Sequence, residues 1–146
     1  MTPVSRVANP RHCSIAGALD IVGEKWSLLV VRELFLGIRR FSEIAANTGA
    51  PRDILTTRLR RLEDVGVVER TKYSDRPPRY EYRLTRAGGD LLPVIMAVKQ
   101  WGDRHVSGEV LPPVYEHSCG ATFQPRMDCA VCGEPADSRS LTRRDP

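Results

Sequence analysis

The sequence has no long apolar run. Its strictly apolar stretches, such as residues 28–31, fall far short of the roughly 18 residues that a membrane span needs. The first residues, MTPVSRVANPRH, also lack the apolar core of a secretory signal. These absences predict a soluble, cytoplasmic protein. Charged residues make up 27% and hydrophobic residues 41% of the 146 residues, and this globular composition predicts one compact domain with a small appendage.

The sequence also lacks the pairing of nucleophile and base that many enzymes use. His12 and His105 have no Asp or Ser partner at a spacing typical of catalysis. We therefore expect a protein that is not an enzyme.

Basic residues outnumber acidic ones in two parts of the chain, although the net charge of the whole is only +4. Residues 1–12 carry two arginines and no acid, and residues 51–86 hold ten Lys and Arg against six Asp and Glu. Such an excess is either an ordinary solvated surface with ion pairs or an electrostatic footprint for phosphates.

The spacing of apolar residues predicts several helices in the first half of the chain. Apolar periodicity covers residues 14–36 with a break at Gly23, and Ser42 is predicted to cap a short helix that stops at Gly49. A further helix is expected over residues 51–65, because Pro51 is tolerated in a first turn. Two helices joined by so short a turn have helix-turn-helix spacing.

The helix over residues 51–65 has an apolar stripe and a polar face. Leu55, Leu59 and Leu62 form the stripe, and Arg58 lies near it, where its stem can pack. The polar and flanking positions are rich in Arg and Thr. They are Arg52, Asp53, Thr56, Thr57, Arg60 and Arg61.

A basic hairpin is predicted to follow. Residues 67–73 and 80–85 have strand patterns, and the loop over 74–79 holds two prolines and two arginines, which predicts a stiff tip. Thr85 can cap a final long helix whose apolar residues cover more than one stripe, which leaves a surface for a partner. Trp26 and Trp101 are expected in core or dimer packing. The predicted fold class is mainly α with a small β-hairpin wing (α+β), a winged helix-turn-helix.

At these positions the chain resembles the HxlR family of bacterial winged-helix transcriptional regulators, relatives of the MarR type. The similarity is carried by CSIAGALDIVGEKWSLLVVREL from Cys13 onward, by RRFSEIAANTGAPRDILTTRLRRLEDVGVVER and by PPRYEYRLTRAG. It covers about residues 11–108. The resemblance implies a homodimer that binds double-stranded DNA at a pseudo-palindromic operator, with dimer contacts from the terminal helices.

The winged-helix arrangement indicates which residues contact DNA. A major groove about 12 Å wide admits one helix, here residues 51–65, and a hairpin tip, here residues 74–79, can reach the backbone or the minor groove. Arg can pair with guanine, and Thr can contact phosphate or a thymine methyl group. The alternatives are a solvated helix face and a wing that touches nothing. The predicted DNA-binding residues are Arg52, Thr56, Thr57, Arg60, Arg61, Lys72, Arg76 and Arg79.

Cys13 is a candidate redox sensor. It stands where several HxlR-type regulators carry a redox-active cysteine at the start of the first helix, and a helix N-terminus with Arg11 nearby lowers the pKa of a thiol. A buried, inert thiol is the alternative. A small-molecule or oxidant effector is compatible with either.

Three of the four cysteines lie near the C-terminus. His117-x-Cys119 and Cys129-x-x-Cys132 are separated by nine residues, which is the spacing of a tetrahedral structural zinc site. A segment with so few apolar residues cannot form a hydrophobic core of its own, so it needs a bound metal to fold. The alternatives are a reduced remnant of such a ribbon and a thiol–disulfide switch.

These patterns divide the chain and leave three functions open. The predicted parts are a flexible N-terminus (residues 1–12), a DNA-binding and dimerisation domain (13–110), a zinc-ribbon-like segment (111–137) with one structural Zn²⁺, and a disordered tail (138–146). The leading function is sequence-specific transcriptional regulation. The alternatives are an adaptor that has lost DNA binding and a thiol-redox protein that uses the C-terminal cysteines.

Overall fold

A computed structural model describes residues 13–106, 108 and 113–144. The predicted N-terminal stretch 1–12 lies outside the described residues. The fold divides into two compact units, one ending at Ile95 and the other beginning at Met96. The elements, in chain order, are α1 (Ser14–Val22), α2 (Lys25–Phe35), α3 (Phe41–Thr48), α4 (Arg52–Asp64), β1 (Val68–Asp75), β2 (Pro78–Leu84), α5 (Arg86–Gly89) and α6 (Leu92–His105). No helix among the described residues is long and apolar enough to cross a membrane.

The first unit, called here the winged-helix unit (described residues 13–95), has an aliphatic core. The predicted stripe of α4 is buried, since Leu55, Leu59 and Leu62 are each at most 1% exposed. They share the core with Val30 of α2 and Ile44 of α3, which are fully buried. The apolar period of the sequence therefore places α4 with its stripe inward, as predicted.

The helix-turn-helix has the predicted turn but a different start. α3 ends at Gly49, whose positive φ of 73° provides the left-handed cap. Ser42 is not the N-cap, contrary to the prediction, because the helix begins one residue before it and Arg40 occupies that position. Arg40 is held extended by a bridge to Glu81 of the wing, so the helix starts directly after it.

A buried carboxylate ties α2 to α3. Glu33 is 3% exposed, and its carboxylate accepts hydrogen bonds from Arg32 Nε at 2.9 Å and from Asn47 Nδ2 at 2.8 Å. The Arg32 guanidinium also pairs with it at 2.7 Å. Because a buried charge without partners is costly, these bonds fix the position of α3 against α2.

The wing is longer than predicted. β1 and β2 pair antiparallel up to Asp75 and Pro78, so the turn holds only residues 76–77 instead of 74–79. Pro78 is accommodated because it is the first residue of a strand in a two-stranded sheet, where no partner needs its missing N–H. A β-bulge between Lys72 and Ser74 leaves Tyr73 as the extra residue.

The base of the wing is closed by Thr85 and Gly88. Thr85 Oγ1 donates to Gly66 O at 2.6 Å and accepts from Gly88 N at 3.2 Å. Thr85 therefore caps the four-residue α5, and the prediction that it caps the long final helix is wrong. The chain turns at residues 90–91 and α6 begins at Leu92, because Pro93 lacks an N–H and fits a first turn.

The second unit contains most of α6 and the C-terminal segment, defined as residues 113–144. Two tight turns shape the segment, with isolated bridges between Glu116 and Thr122 and between Asp128 and Pro135. Gln100 Nε2 of α6 donates to Pro125 O at 3.0 Å. The segment thus has local hairpins rather than long strands.

Candidate nucleic-acid interface

The exposed face of α4 presents the residues that the sequence predicts for DNA contact. Arg52, Thr56, Thr57, Arg60 and Arg61 are all exposed, opposite the buried leucines. Spacings of four residues put Arg52, Thr56 and Arg60 along one side of the helix. The structure therefore places these side chains on one solvent-facing surface.

The two threonines of α4 use their hydroxyl protons within the helix. Thr56 Oγ1 donates to Arg52 O at 2.8 Å, and Thr57 Oγ1 donates to Asp53 O at 3.0 Å. A hydroxyl whose proton is engaged offers only its lone pairs, which do not bind a phosphate oxygen. In this geometry the threonines present methyl groups, so thymine methyl contact fits them better than phosphate contact.

Arg58 faces away from this surface. Its guanidinium pairs with the Glu24 carboxylate, and its side chain is 23% exposed. The expectation from the sequence that Arg58 lies beside the apolar stripe is consistent with this placement. Arg58 and Arg60, two residues apart, consequently have different surroundings.

The basic residues of the wing also differ from one another. Lys72 pairs with Asp75 at a distance of 2.7 Å, so part of its charge is already compensated. Arg76 stands exposed in the two-residue turn, and Arg79 is exposed in β2. Of these three, Arg76 and Arg79 have no carboxylate partner among the described residues.

The wing is anchored to the helix-turn-helix through its second strand. Tyr82 N donates to Arg39 O at 2.9 Å, which complements the bridge between Arg40 and Glu81. The hydrogen bond from Arg83, 2.6 Å from the Glu81 carboxylate, lowers the pKa of Glu81. These contacts hold β2 in register with the start of α3.

Sequence reasoning missed one member of the basic surface. Arg40 meets Arg52 and Arg79 at a cavity between the two helices and the wing. Arg40 and Phe41 lie in a segment that carries the family resemblance. The spacing of residues in the sequence, however, does not predict that a residue before α3 lies next to the wing. The signal that could have found Arg40 is the proximity of β2, which only the fold reveals.

The candidate zinc ligands lie on the two turns of the C-terminal segment. Gly120 N donates to His117 O at 2.8 Å and Gly133 N donates to Cys129 O at 2.7 Å, and both glycines have positive φ, which suits such turns. Among residues 13–106, 108 and 113–144, no group of three or more His, Cys, Asp and Glu side chains is arranged around a metal position. The four donors are chemically suited to zinc but lie on separate turns.

Backbone amides surround one of these thiols. The N–H groups of Cys132 and Val131 point at Cys129 and lower the pKa of its thiol. On the other turn, Cys119 N donates to His117 Nδ1 at 3.3 Å, which leaves Nε2 as the outward donor atom of that ring. Amides directed at a sulfur favour the thiolate, which is the form that binds metal.

Cys13 is exposed and immediately precedes α1, as N-cap residue. Its predicted environment includes Arg11, which lies outside the described residues. The thiol of Cys13 is therefore not buried in the described part of the chain.

The helix pair α3–α4, followed by a two-stranded hairpin, defines a winged helix-turn-helix protein. A family model described as HxlR-like helix-turn-helix matches residues 21–110. The chain therefore belongs to the HxlR family, as the resemblance predicted.

Relatives and solved structures agree with this assignment. An uncharacterized HTH-type transcriptional regulator of Mycobacterium tuberculosis is 46% identical over 131 residues, which cover 88% of this chain and 83% of that one. The solved structure of PA1607, a candidate transcription factor, is similar with a TM-score of 0.80 and 31% identity, over 93% of this chain and 97% of that one. The redox regulator HypR in its oxidized form is similar with a TM-score of 0.57 and 32% identity, over 66% of this chain and all of that one.

The chain is thus a transcriptional regulator with a helix-turn-helix domain. Its regulator relatives favour a regulatory over a catalytic role. The match to PA1607 is too extensive to be confined to the winged-helix unit, so the C-terminal segment also takes part in it.

Proposed function

We propose that the protein regulates transcription by binding a pseudo-palindromic operator as a homodimer, with α4 in the major groove and the wing on the backbone or minor groove. The exposed basic face of α4 is the observation that carries this proposal, because its leucine face is buried and its Arg and Thr residues are free to meet DNA. Arg76 in the wing turn lies on the second element that reaches the duplex in winged helices. A cytoplasmic location follows from a chromosomal target.

The dimer is supported by apolar side chains left exposed on the terminal helices. On α1, Ile15 and Leu19 are 68% and 57% exposed, one helical turn apart. On α6, Val94, Val98 and Trp101 repeat at helical spacing, and Trp101 is 60% exposed. Exposed apolar residues that repeat along one helix are typical of a protein–protein interface. The exposure of Trp101 excludes core packing in the described chain and supports its predicted role in the dimer.

Fluorescence anisotropy against the DNA upstream of the protein's own gene tests the proposal. A scrambled duplex of the same composition is the control, and both titrations are repeated over a salt series. We expect tighter binding to the upstream DNA and a steep loss of affinity with salt, because Lys and Arg release counterions from phosphates. Equal binding to both duplexes would contradict an operator at this site, and binding to neither would favour the adaptor function.

We further propose that the C-terminal segment holds one structural Zn²⁺. His117 and Cys119 of the first turn and Cys129 and Cys132 of the second supply four donors of the types that zinc prefers. The lowered pKa of Cys129 supports the thiolate form there. The metal would join the two turns. Elemental analysis of untagged, chelator-washed protein tests this, and a content well below one zinc per chain would contradict it.

We also propose that Cys13 makes DNA binding sensitive to oxidants. The supporting observations are its exposure beside the N-terminus of α1 and the structural similarity to the redox regulator HypR. Cys13→Ser is expected to abolish any change in DNA affinity on treatment with hydrogen peroxide. The wild-type protein treated with peroxide and then reduced with dithiothreitol is the control, and its DNA affinity should return to the untreated value. An unchanged peroxide response in Cys13→Ser would remove Cys13 from the mechanism.

A further inference from the structure

A cavity of about 320 Å³ lies in the winged-helix unit between the helix-turn-helix and the wing. Three arginines from three places in the chain line it: Arg40 before α3, Arg52 at the start of α4 and Arg79 in β2. No lining residue is acidic, and none of these arginines forms an ion pair with a described residue. Because like charges around one cavity repel each other, the cavity favours an anion.

Aromatic rings lie next to two of these arginines. The Arg40 guanidinium lies 5.2 Å from the centroid of the Tyr73 ring, and that of Arg52 lies 4.9 Å from the centroid of Phe41. A cation–π contact places the guanidinium charge near the face of the ring and requires no hydrogen bond from its N–H groups. The β-bulge places Tyr73 at the cavity, since bulges redirect a side chain.

The start of α3 adds further donors at the same place. Phe41 and Ser42, the first two residues of the helix, line the cavity. Arg40, the N-cap residue, makes no side-chain hydrogen bond to the helix, so the first amide N–H groups lack the partner that a cap usually provides. Such amides and the Ser42 hydroxyl add donors for an anion to those of the three guanidinium groups.

We propose that this cavity binds one phosphate group of the DNA backbone, with Arg40, Arg52 and Arg79 as its ligands. The inference rests on the proposed DNA-binding function and adds a site that includes Arg40, which lies outside both α4 and the wing turn. A guanidinium binds phosphate through two parallel N–H donors. A contact of this kind carries no sequence information, but it fixes the orientation of α4 on the duplex.

The first measurement uses no DNA. The full-length protein is titrated with inorganic phosphate while the side-chain Nε–Hε signals of its arginines are followed by ¹H–¹⁵N NMR. We expect the signals of Arg40, Arg52 and Arg79 to shift together and saturate, and that of Arg39 to show no saturable change. The variant R40Q is expected to lose the saturable shifts of the other two arginines. Weak, non-saturating shifts of all exposed arginines would overturn the site.

The second measurement compares two neighbouring arginines in DNA binding. R40Q is expected to bind every duplex roughly tenfold more weakly at low salt, and to lower the slope of log affinity against log salt by about 0.9, the loss of one phosphate contact. R39Q removes the same charge from an exposed residue that does not line the cavity, and should retain nearly full affinity. R40K keeps the charge but not the two-donor geometry, so it should restore most of the salt slope and only part of the affinity.

The outcomes separate this inference from the proposed function. Thermal denaturation first verifies that R40Q is folded. If the wild-type protein binds duplex DNA and R40Q equals either wild type or R39Q, the phosphate site is overturned and DNA binding stands. If the wild-type protein binds no duplex although free phosphate saturates the three arginines, both DNA binding and the DNA source of the phosphate are overturned. A free phosphorylated ligand then takes the place of the DNA backbone.

Discussion

The winged-helix unit buries aliphatic side chains such as Val30, Ile44 and Leu59, whereas no described residue of the C-terminal segment is buried. In the first region, side chains from α2, α3 and α4 exclude water together. In the second, Val131 is 96% exposed, and the turns are held by backbone hydrogen bonds such as that from Cys129 N to Glu134 O at 2.8 Å.

This difference in burial indicates which interactions can stabilise each region. Burial of an apolar side chain contributes roughly 1.5–3 kcal/mol, so the winged-helix unit gains much from its core. A turn whose amides are exposed gains little, because water competes for the same hydrogen bonds. The C-terminal segment therefore needs a further source of stability, and the proposed zinc is one.

Removal of the proposed zinc is expected to have the largest effect, which should be confined to the C-terminal segment. Structural zinc contributes an apparent free energy of about 10–16 kcal/mol in small metal-dependent folds. A chelator should therefore collapse the amide chemical-shift dispersion of residues 113–144, while signals of α2 and α4 keep their positions. Cys132→Ser should reproduce this pattern and Cys13→Ser should not. Retained dispersion in the chelated segment would show that its turns are stable without metal.

A core truncation is expected to have the next largest effect, in the other region. Leu59→Ala removes a side chain that is 1% exposed and leaves a cavity, which lowers the free energy of unfolding by about 2–5 kcal/mol. Leu141→Ala is the matched control, because Leu141 is 69% exposed, and should change it by less than about 0.5 kcal/mol. Urea denaturation followed by circular dichroism measures both. Similar losses of unfolding free energy in the two variants would contradict the conclusion that only the winged-helix unit is stabilised by a buried core.

Features that depend on period and local chemistry could be predicted from the sequence. The buried face of α4 follows from Leu55, Leu59 and Leu62 at helical spacing, and the end of α3 follows from Gly49. Both are set by residues within one or two turns of each other, so a single helix contains the information.

Features that depend on contacts between distant residues could not be predicted. The Thr85 hydroxyl donates to Gly66 O, 19 residues earlier in the chain. The buried carboxylate of Glu33 in α2 accepts a hydrogen bond from Asn47 in α3. Arg40 joins the cavity because β2 pairs beside it. Each depends on tertiary packing, which overrides local preference. The candidate DNA-facing residues of α4 were predictable, whereas their convergence with the wing was not.

The tight base of the wing is expected to give a smaller effect than the core truncation. A Cβ at Gly88 would lie 2.2 Å from Val67 O, so Gly88→Ala forces α5 away from the residue that precedes β1 and lowers the free energy of unfolding by about 1–3 kcal/mol. Gly89→Ala is the matched control, since nothing lies within 4 Å of its Cβ position, and should leave it unchanged or raise it by up to about 1 kcal/mol. Equal unfolding free energies of the two variants would mean that the backbone at the base of the wing can shift to accept a Cβ at little cost.

The smallest effect on stability is expected within α4, where a mostly buried arginine and an exposed one can be compared. The two residues are Arg58, whose side chain is 23% exposed, and Arg60, which is exposed. Arg58→Met keeps an apolar stem and removes only the partly exposed pair with Glu24, so the free energy of unfolding should fall by about 0.2–1 kcal/mol and DNA affinity should not change. Arg60→Met should leave stability unchanged and weaken DNA binding, since Arg60 lies on the exposed basic face of α4. Urea denaturation and fluorescence anisotropy measure the two quantities on the same samples. Weaker DNA binding in Arg58→Met alone would mean that the face of α4 carrying Arg58 meets the duplex, and the proposed docking would have to be rotated about the helix axis.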